Sequence, residues 1–561
     1  MKIRSGVLSL IFLAFSSAVA DESGEIEQEP MYEVDAVFAE YDNDESPGCA
    51  LGVIRDGEFA YRRGYGMANL ELGIPISSQS VFRIGSTSKQ FTAMAIALLA
   101  EEGNLSLDDT LNKYYPAYPH WSEEVTIAQL VHHTSGVRDY LTLAYLAGKG
   151  DDQDYYTTDW VIKLLGRQQE TNFPPGTQYL YSNSGYLLLG QIVERVSGMS
   201  LKEFSQKHIF GPLGMAHSHF HDDHTHIVPQ RASGYAPAED GYRISMTTLD
   251  IVGDGSVYTS IDDLLLWDRN FYENRLGSGG QALIEQVTTP GTLANGAPID
   301  YAFGLTRETY RGRSLISHGG AFVGFRAEMI RFPDLQFSTA VLCNRADAEA
   351  STLARKVADH ILAGVLEPLP EETVQHEITE LDEERLIKYV GDFWESTEAF
   401  AAETRLEDGK LWAVHSPERR NELVSIGEHR FQMTGLPFEV IVEYEMSDEG
   451  VVSVNRFIEG KARGSFTPFK RRQARTEDLA EYRGDYLSPE LDIEYRVRVS
   501  GDHLLVQIED EQTQDLTPMF EDTFENPDLG AFEFRRGPEG KIAGFKLQSG
   551  RVRNLLFYRK P

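Results

Sequence analysis

Ser86-Thr87-Ser88-Lys89 places a hydroxyl and an amine three residues apart. A serine hydroxyl is a weak nucleophile until a base removes its proton. Residues at this spacing share a helix face, so Lys89 can reach the Ser86 oxygen. In the first turn of that helix, Ser86 would also sit at the positive end of the dipole, which favours developing negative charge. Apolar neighbours lower a lysine's pKa toward the range where it acts as a base. The pattern is common by chance, and on its own it reads as a plain helix start. Two more segments follow in order. Phe173-Pro174-Pro175-Gly176-Thr177-Gln178-Tyr179-Leu180-Tyr181-Ser182-Asn183-Ser184-Gly185-Tyr186 holds a Tyr-x-Asn between a Pro-Gly turn and a helix, and Ser317-His318-Gly319-Gly320-Ala321 opens a strand-like stretch.

In this order and context the three segments resemble the active-site set of the penicillin-binding-protein and serine β-lactamase superfamily. The resemblance is closest to its class C-like branch, which includes D-aminopeptidases and some esterases. It spans roughly residues 31–366 and takes in His133-Thr134-Ser135-Gly136, Pro212-Leu213-Gly214-Met215 and Gly255-Ser256-Val257-Tyr258. The resemblance implies that Ser86 attacks a carbonyl and that Lys89 and Tyr181 handle its proton, with Tyr181 returning one to the leaving group. It further implies that the Asn183 amide binds substrate and positions Lys89, and that the N–H groups of Ser86 and Ala321 form an oxyanion hole. Gly319 and Gly320 would let their strand approach the substrate closely. His318 is a departure. Penicillin-recognising members usually carry lysine there, a fixed charge for a substrate carboxylate, whereas histidine is largely neutral near pH 7. D-aminopeptidase-like members have histidine at this point and two C-terminal β-barrels.

The expected activity is therefore acyl transfer to water through an acyl-enzyme, on small peptides or amides of D-aminopeptidase type. A carboxylesterase, a weak β-lactamase or a D-Ala-D-Ala carboxypeptidase of the same fold is the alternative. A non-catalytic binder of cell-wall peptide is the alternative from another class, and the nucleophile-base pair argues against it. No cofactor is implied. His217, His219, His221, His224 and His226 lie close together, and in an extended segment the first three would share a face able to bind zinc. The chemistry above needs no metal, so this tract is read as a solvated polar loop. H-E-x-x-H, Walker-type and G-x-S-x-G patterns are absent from the sequence, which speaks against zincin, nucleotide and α/β-hydrolase readings.

The elements that must position these residues are legible as periodicity. Val34, Val37, Phe38 and Tyr41 share a helical face, and a hairpin turning at Asp56-Gly57 joins strands near 49–54 and 59–65. A helix from Ser86 buries Phe91, Met94, Ala95, Leu98 and Leu99 and ends at Gly103. A second helix covers 187–196. Strands recur at 315–317, 327–331 and 338–343, before a helix with Leu353, Val357, Ile361 and Val365 on one face. Strands at both ends with helices between them predict one α/β (α+β) β-lactamase-like domain over 31–366, its termini sharing an antiparallel sheet flanked by helices.

Residues 367–378, with Pro368 and Pro370, read as a linker. Beyond them the composition shifts to short strands and a repeat emerges. Tyr389-Val390-Gly391-Asp392-Phe393 returns as Tyr482-Arg483-Gly484-Asp485-Tyr486, an offset of 93 that holds at Leu411 and Leu504 and at Phe431 and Phe524. Phe469-Lys470-Arg471 and Phe557-Tyr558-Arg559 look like the two ends, 88 apart. Two tandem antiparallel β-barrels are expected, over 379–471 and 476–561, because closure removes exposed edges.

Residues 1–20 read as a signal peptide, with Lys2 and Arg4 before an apolar core and Ala18-Val19-Ala20 before Asp21. A periplasmic or secreted protein, off the membrane after cleavage, is expected. The 561-residue chain carries a net charge of −35, which disfavours nucleic acid as a partner. Cys49 and Cys343, each in an apolar strand-like stretch, are expected to be buried free thiols, with one disulfide as the alternative. A monomer or homodimer is compatible with everything above.

Overall fold

The computed structural model describes residues 31–149, 156–368, 378–379, 381–397, 399–416, 419–436, 439–458, 460–472, 475–509 and 513–561. The expected signal peptide, and most of the expected linker, lie outside these residues.

Six antiparallel strands form the central sheet, in the spatial order Thr306–Tyr310, Arg313–Phe322, Phe325–Phe332, Phe337–Cys343, Cys49–Arg55 and Glu58–Tyr65. The first hairpin of the chain thus pairs with the last strand before the barrels. Period-2 alternation sorts the side chains of these strands. Leu51, Val53, Val341 and Ile330 enter a core with helices Tyr32–Val37 and Ala350–Ile361, while Ala50, Ala340, Leu342 and Met329 face a larger helical core behind the sheet. On that second side Gly52 lets helix Ile261–Asn270 come close, since a Cβ there would meet the Ile261 Cγ2 at 2.7 Å.

Several element boundaries differ from expectation. The first helix stops at Val37, and Phe38 and Tyr41 stay buried in the turns beyond it, where N–H groups bond carbonyls three residues back. The strand expected at 315–317 runs on through Phe322, because Gly319 and Gly320 extend the ladder against Glu328 and Ala327 instead of breaking it. Helix Ala350–Ile361 ends before Val365. The free-thiol expectation is overturned: Cys49 and Cys343 face each other in register across adjacent strands and form a disulfide.

Each half of the repeat is a closed, eight-stranded antiparallel barrel. The two share a register: Phe393 pairs with Ala402 as Tyr486 pairs with Tyr495, and Phe431 pairs with Val442 as Phe524 pairs with Phe532. The ends need correction. Phe466 faces Val454 as Phe557 faces Phe545, so Phe466, not Phe469, is the counterpart of Phe557; the slip came from matching Phe-Lys-Arg to Phe-Tyr-Arg by type.

The second barrel is fixed to the sheet-and-helix domain by buried polar contacts. Arg138 donates to the Glu490 carboxylate at 2.7 Å with both side chains almost fully buried, and also donates to the carbonyl of Arg553 at 3.1 Å. The Tyr495 hydroxyl donates to the Leu146 carbonyl at 2.7 Å.

Candidate active site

Ser86 lies in a tight 3₁₀ turn, Gly85–Ser88, that feeds helix Lys89–Glu101; sequence periodicity placed it inside the helix proper. Gly85 makes the turn possible. Its φ of +51° suits glycine, and a Cβ would lie 2.9 Å from the Ala321 nitrogen. Gly320 is equally constrained, because a Cβ there would sit 1.9 Å from the Ile84 carbonyl oxygen. Strand Arg313–Phe322 is therefore pressed onto the serine turn, and the Thr87 hydroxyl donates to the His318 carbonyl at 3.1 Å. The neighbouring strand pairs only as far as Ser317, so His318 to Phe322 form the sheet's edge beside Ser86.

Lys89 is fully buried. Its ammonium donates to Ser86 Oγ at 3.2 Å, Asn183 Oδ1 at 2.8 Å and the Asp254 carbonyl at 2.6 Å. Burial lowers its pKa to about 8, against the opposing pull of the Asp254 and Asp139 carboxylates. The Nζ also lies 4.8 Å from the Tyr181 ring centre. The Tyr181 hydroxyl is buried with no partner in hydrogen-bond geometry, although it lies near enough to Ser86 for that side chain to offset part of a pKa rise caused by burial. The phenol is therefore protonated at neutral pH, while the lysine is within reach of deprotonation.

Asn183 opens helix Asn183–Ser197, and its N–H donates to Asp139 Oδ2 at 2.6 Å, a carboxylate at the positive end of a helix dipole. His133 stacks 4.2 Å from the Tyr181 ring and accepts the Ser182 N–H on Nδ1 at 3.1 Å. His318 is held in one tautomer. Its Nδ1 lies 2.6 Å from the Gly319 carbonyl, which can only accept, so Nε2 takes the Tyr301 hydroxyl at 3.0 Å. Burial, and then the nearby Lys89 charge, hold His318 down to about 4, so it is neutral at pH 7.

Ser86, Tyr181, Asn183, His318, Gly319, Gly320 and Ala321 all line one cleft of about 660 Å³, with Lys89 at its floor. Periodicity and motif matching missed three contributors. Asp254 acts through its main-chain carbonyl, which any residue type provides; its carboxylate, raised in pKa by burial, accepts from Tyr140 at 3.0 Å. Tyr301 fixes His318 from a loop without a motif. Arg551 comes from the second barrel: its guanidinium lies 4.8 Å from the Tyr181 ring centre and 3.9 Å from Asp139 Oδ2. Its carbonyl accepts from Asn172 Nδ2 at 2.9 Å, which fixes the turn that carries it.

The histidine tract is a solvated loop only in its second half, where His224 and His226 are exposed. His219–Phe220 pairs with Val257–Thr259, and the His219 and His221 rings meet at 3.2 Å beside Tyr258. His217 turns away to Asp263 and His224 to Asp250. Among the described residues, no three His, Cys, Asp or Glu side chains are grouped to hold a metal ion.

A serine and a buried lysine at the foot of a helix, under the edge of an antiparallel sheet, define the class: the β-lactamase and penicillin-binding-protein-like serine hydrolases. The Beta-lactamase family profile matches residues 34–363, and the chain belongs to that family. It is 31% identical over 422 residues to penicillin-binding protein 4* of Bacillus subtilis (strain 168), covering 72% of this chain and 91% of that protein. To a D-aminopeptidase of Gluconobacter oxydans (strain 621H) it is 31% identical over 321 residues, 57% of this chain and 59% of the relative's length. The octameric penicillin-binding protein homologue from Pyrococcus abyssi shares the fold, with a TM-score of 0.53 at 24% identity over 77% of this chain and 98% of that one.

Proposed function

We propose that this chain is an exported serine hydrolase that cleaves small peptides or amides through an acyl-enzyme on Ser86, with an N-terminal D-amino acid as the preferred substrate feature. The observation that carries the chemistry is the contact of Lys89 Nζ with both Ser86 Oγ and Asn183, under a protonated Tyr181. Neutral Lys89 takes the Ser86 proton as Oγ bonds to the substrate carbonyl carbon. The resulting oxyanion is met by the N–H groups of Ser86 and Ala321, donors of a kind whose loss typically costs about 2.7–4 kcal/mol of transition-state stabilisation. Tyr181 passes its proton to the leaving nitrogen and recovers one from Lys89, and water then releases the acyl group by the reverse relay.

The substrate feature rests on His318. A neutral imidazole offers a carboxylate no fixed charge at the position nearest the acyl site, and the D-aminopeptidase relative points the same way. Export is supported by the basic and apolar pattern of residues 2–20 and by the Cys49–Cys343 disulfide, a bond favoured in oxidising compartments. Intact-mass spectrometry across D-amino-acid anilides, aryl esters and a cephalosporin should show an acyl adduct that is lost, with turnover, in Ser86→Ala. Full activity in Ser86→Ala would remove the proposal.

Arg551 favours a second reading. It sets a cation on the wall of the cleft that His318 also lines, where it would hold the carboxylate of a D-Ala-D-Ala peptide or a β-lactam, and one relative is a penicillin-binding protein. Faster turnover of acyl-D-Ala-D-Ala than of D-amino-acid anilides, with the preference lost in Arg551→Ala, would establish this reading over the first.

A further inference from the structure

The two barrels have the same strand order and register but differently filled interiors. In the second barrel Tyr495, Phe532, Phe545 and Phe557 form a continuous aromatic cluster, with the Phe545 and Phe557 rings stacked 4.5 Å apart and Tyr495 tilted at 4.5 Å from Phe557. Strand register gives the counterparts in the first barrel. Ala402 stands for Tyr495, Val442 for Phe532 and Val454 for Phe545; only Phe466, for Phe557, keeps its ring. Three aromatic side chains are thus replaced by an alanine and two valines in a scaffold of the same strand order. The space they would fill is open, a chamber of about 630 Å³ bordered by Ala402, Ala413, Val442 and Val454. Eight-stranded barrels are either filled by their own side chains or hold one small ligand, and this chain contains one filled barrel and one with an open interior.

The far end of the chamber is closed by Tyr389, Phe431 and Tyr444, whose rings pack within 5.5 Å of one another. At the near end the polarity changes. Register places Arg456 where the second barrel buries Leu547, and the offset of the repeat places His415 where it buries Ile508. The Arg456 guanidinium lies between the Phe400 and Phe466 rings, 5.7 and 5.4 Å from their centres, and its Nε donates to the Arg463 carbonyl at 3.1 Å. Arg471 also borders the chamber, with Asp392 at 3.0 Å and Glu403 at 3.6 Å beside its guanidinium. Burial raises the pKa of Glu525, which weakens it as a competing anion. A groove lined by Leu141, Phe400, Glu525 and Pro527 adjoins this end and gives a ligand a way in.

We propose that the first barrel is a binding chamber for a long-chain monocarboxylate, with the chain among Ala402, Val442 and Val454 and the head at Arg456. The apolar walls select the chain, and the arginine, set where the sister barrel needs only leucine, selects the anion. The site is independent of the hydrolase reading.

The test uses the full chain with Ser86 blocked by a fluorophosphonate, so that the catalytic cleft does not report. Titration with the fluorescent fatty acid cis-parinaric acid should give saturable, one-to-one enhancement, displaced by palmitate and poorly by hexadecanol. The double variant Ala402→Tyr/Val454→Phe, which installs the second barrel's own filling, should abolish binding. Arg456→Leu should weaken palmitate by about tenfold, the scale of one charge-assisted hydrogen bond, and leave hexadecanol unchanged. Thermal melts and Ser86 labelling in the unblocked variants report whether they remain folded. No saturable binding by the parent chain, or undiminished binding by a folded double variant, overturns the chamber. Equal competition by acid and alcohol, with Arg456→Leu without effect, overturns the assignment of the head.

Discussion

At the scale of single residues, the proposed mechanism divides the proton work between Lys89 and Tyr181 by their surroundings. Burial moves them in opposite senses, lowering the amine to about 8 and raising the phenol. If the base is the neutral amine, as proposed, kcat/KM rises as pH increases through about 8. A pH-rate profile checks this, and an acid limb placed near 4 to 5 would point to a carboxylate instead. Lys89→Arg, which cannot deprotonate in this range, should lose acylation on every substrate, and Tyr181→Phe should lose about 10²–10⁴ in kcat. The Ser86 and Lys89 contact was legible in sequence because three-residue spacing is a local property. Tyr181, Asn183 and His318 were legible only as an ordered set, since nothing local says that they meet. Asp254 and Arg551 were not legible at all: one contributes a backbone atom, and the other reaches the site only through the docking of a barrel.

The elements matter through how closely they approach. Strand Arg313–Phe322 can offer Ala321 to an oxyanion only because Gly320 lies against Ile84. Gly320→Ala should push the strand off the serine turn and cost about as much as losing one oxyanion donor, about 2.7–4 kcal/mol in kcat/KM, with a nearly unchanged far-UV spectrum. The hairpin of residues 49–65 was readable from alternation and Asp56-Gly57, as was its sharing of a sheet with the strands at the other end of the domain, but the strand it pairs with and the register were not. Pairing across 294 residues leaves no periodic trace, which is why the cysteines looked like free thiols. Cys343→Ser should lower stability by about 2–5 kcal/mol, read as a fall in Tm, and an unchanged Tm would show that the bond is not formed in the protein as isolated.

At the scale of the whole molecule, the second barrel forms part of the wall of the catalytic cleft. Arg551 is held there by Asn172, which bonds the Arg551 carbonyl and the Arg553 N–H, and the adjoining Arg553 carbonyl accepts from Arg138, the partner of Glu490. Glu490→Gln leaves a buried arginine without its counter-ion, a change that typically costs about 3–5 kcal/mol. It should loosen the barrel, seen as faster proteolysis between the domains and altered kinetics on charged substrates; normal proteolysis and kinetics would mean that the barrel is held elsewhere. The tandem repeat itself was plain in sequence, because strand register preserves spacing. The difference in filling was present too, as Ala402 against Tyr495, but acquires meaning only when both positions are known to face inward.

The bond between Cys49 and Cys343 has a topological effect as well. Ser86, Lys89, Tyr181, Asn183, Asp254 and His318 all fall between the two bridged positions, so the catalytic apparatus rides on a covalent ring from which both barrels hang as a tail. A protease nick in any exposed loop of that ring would leave one molecule with all its parts tethered. Such a nicked protein should migrate intact on a denaturing gel and fall into two fragments only after reduction.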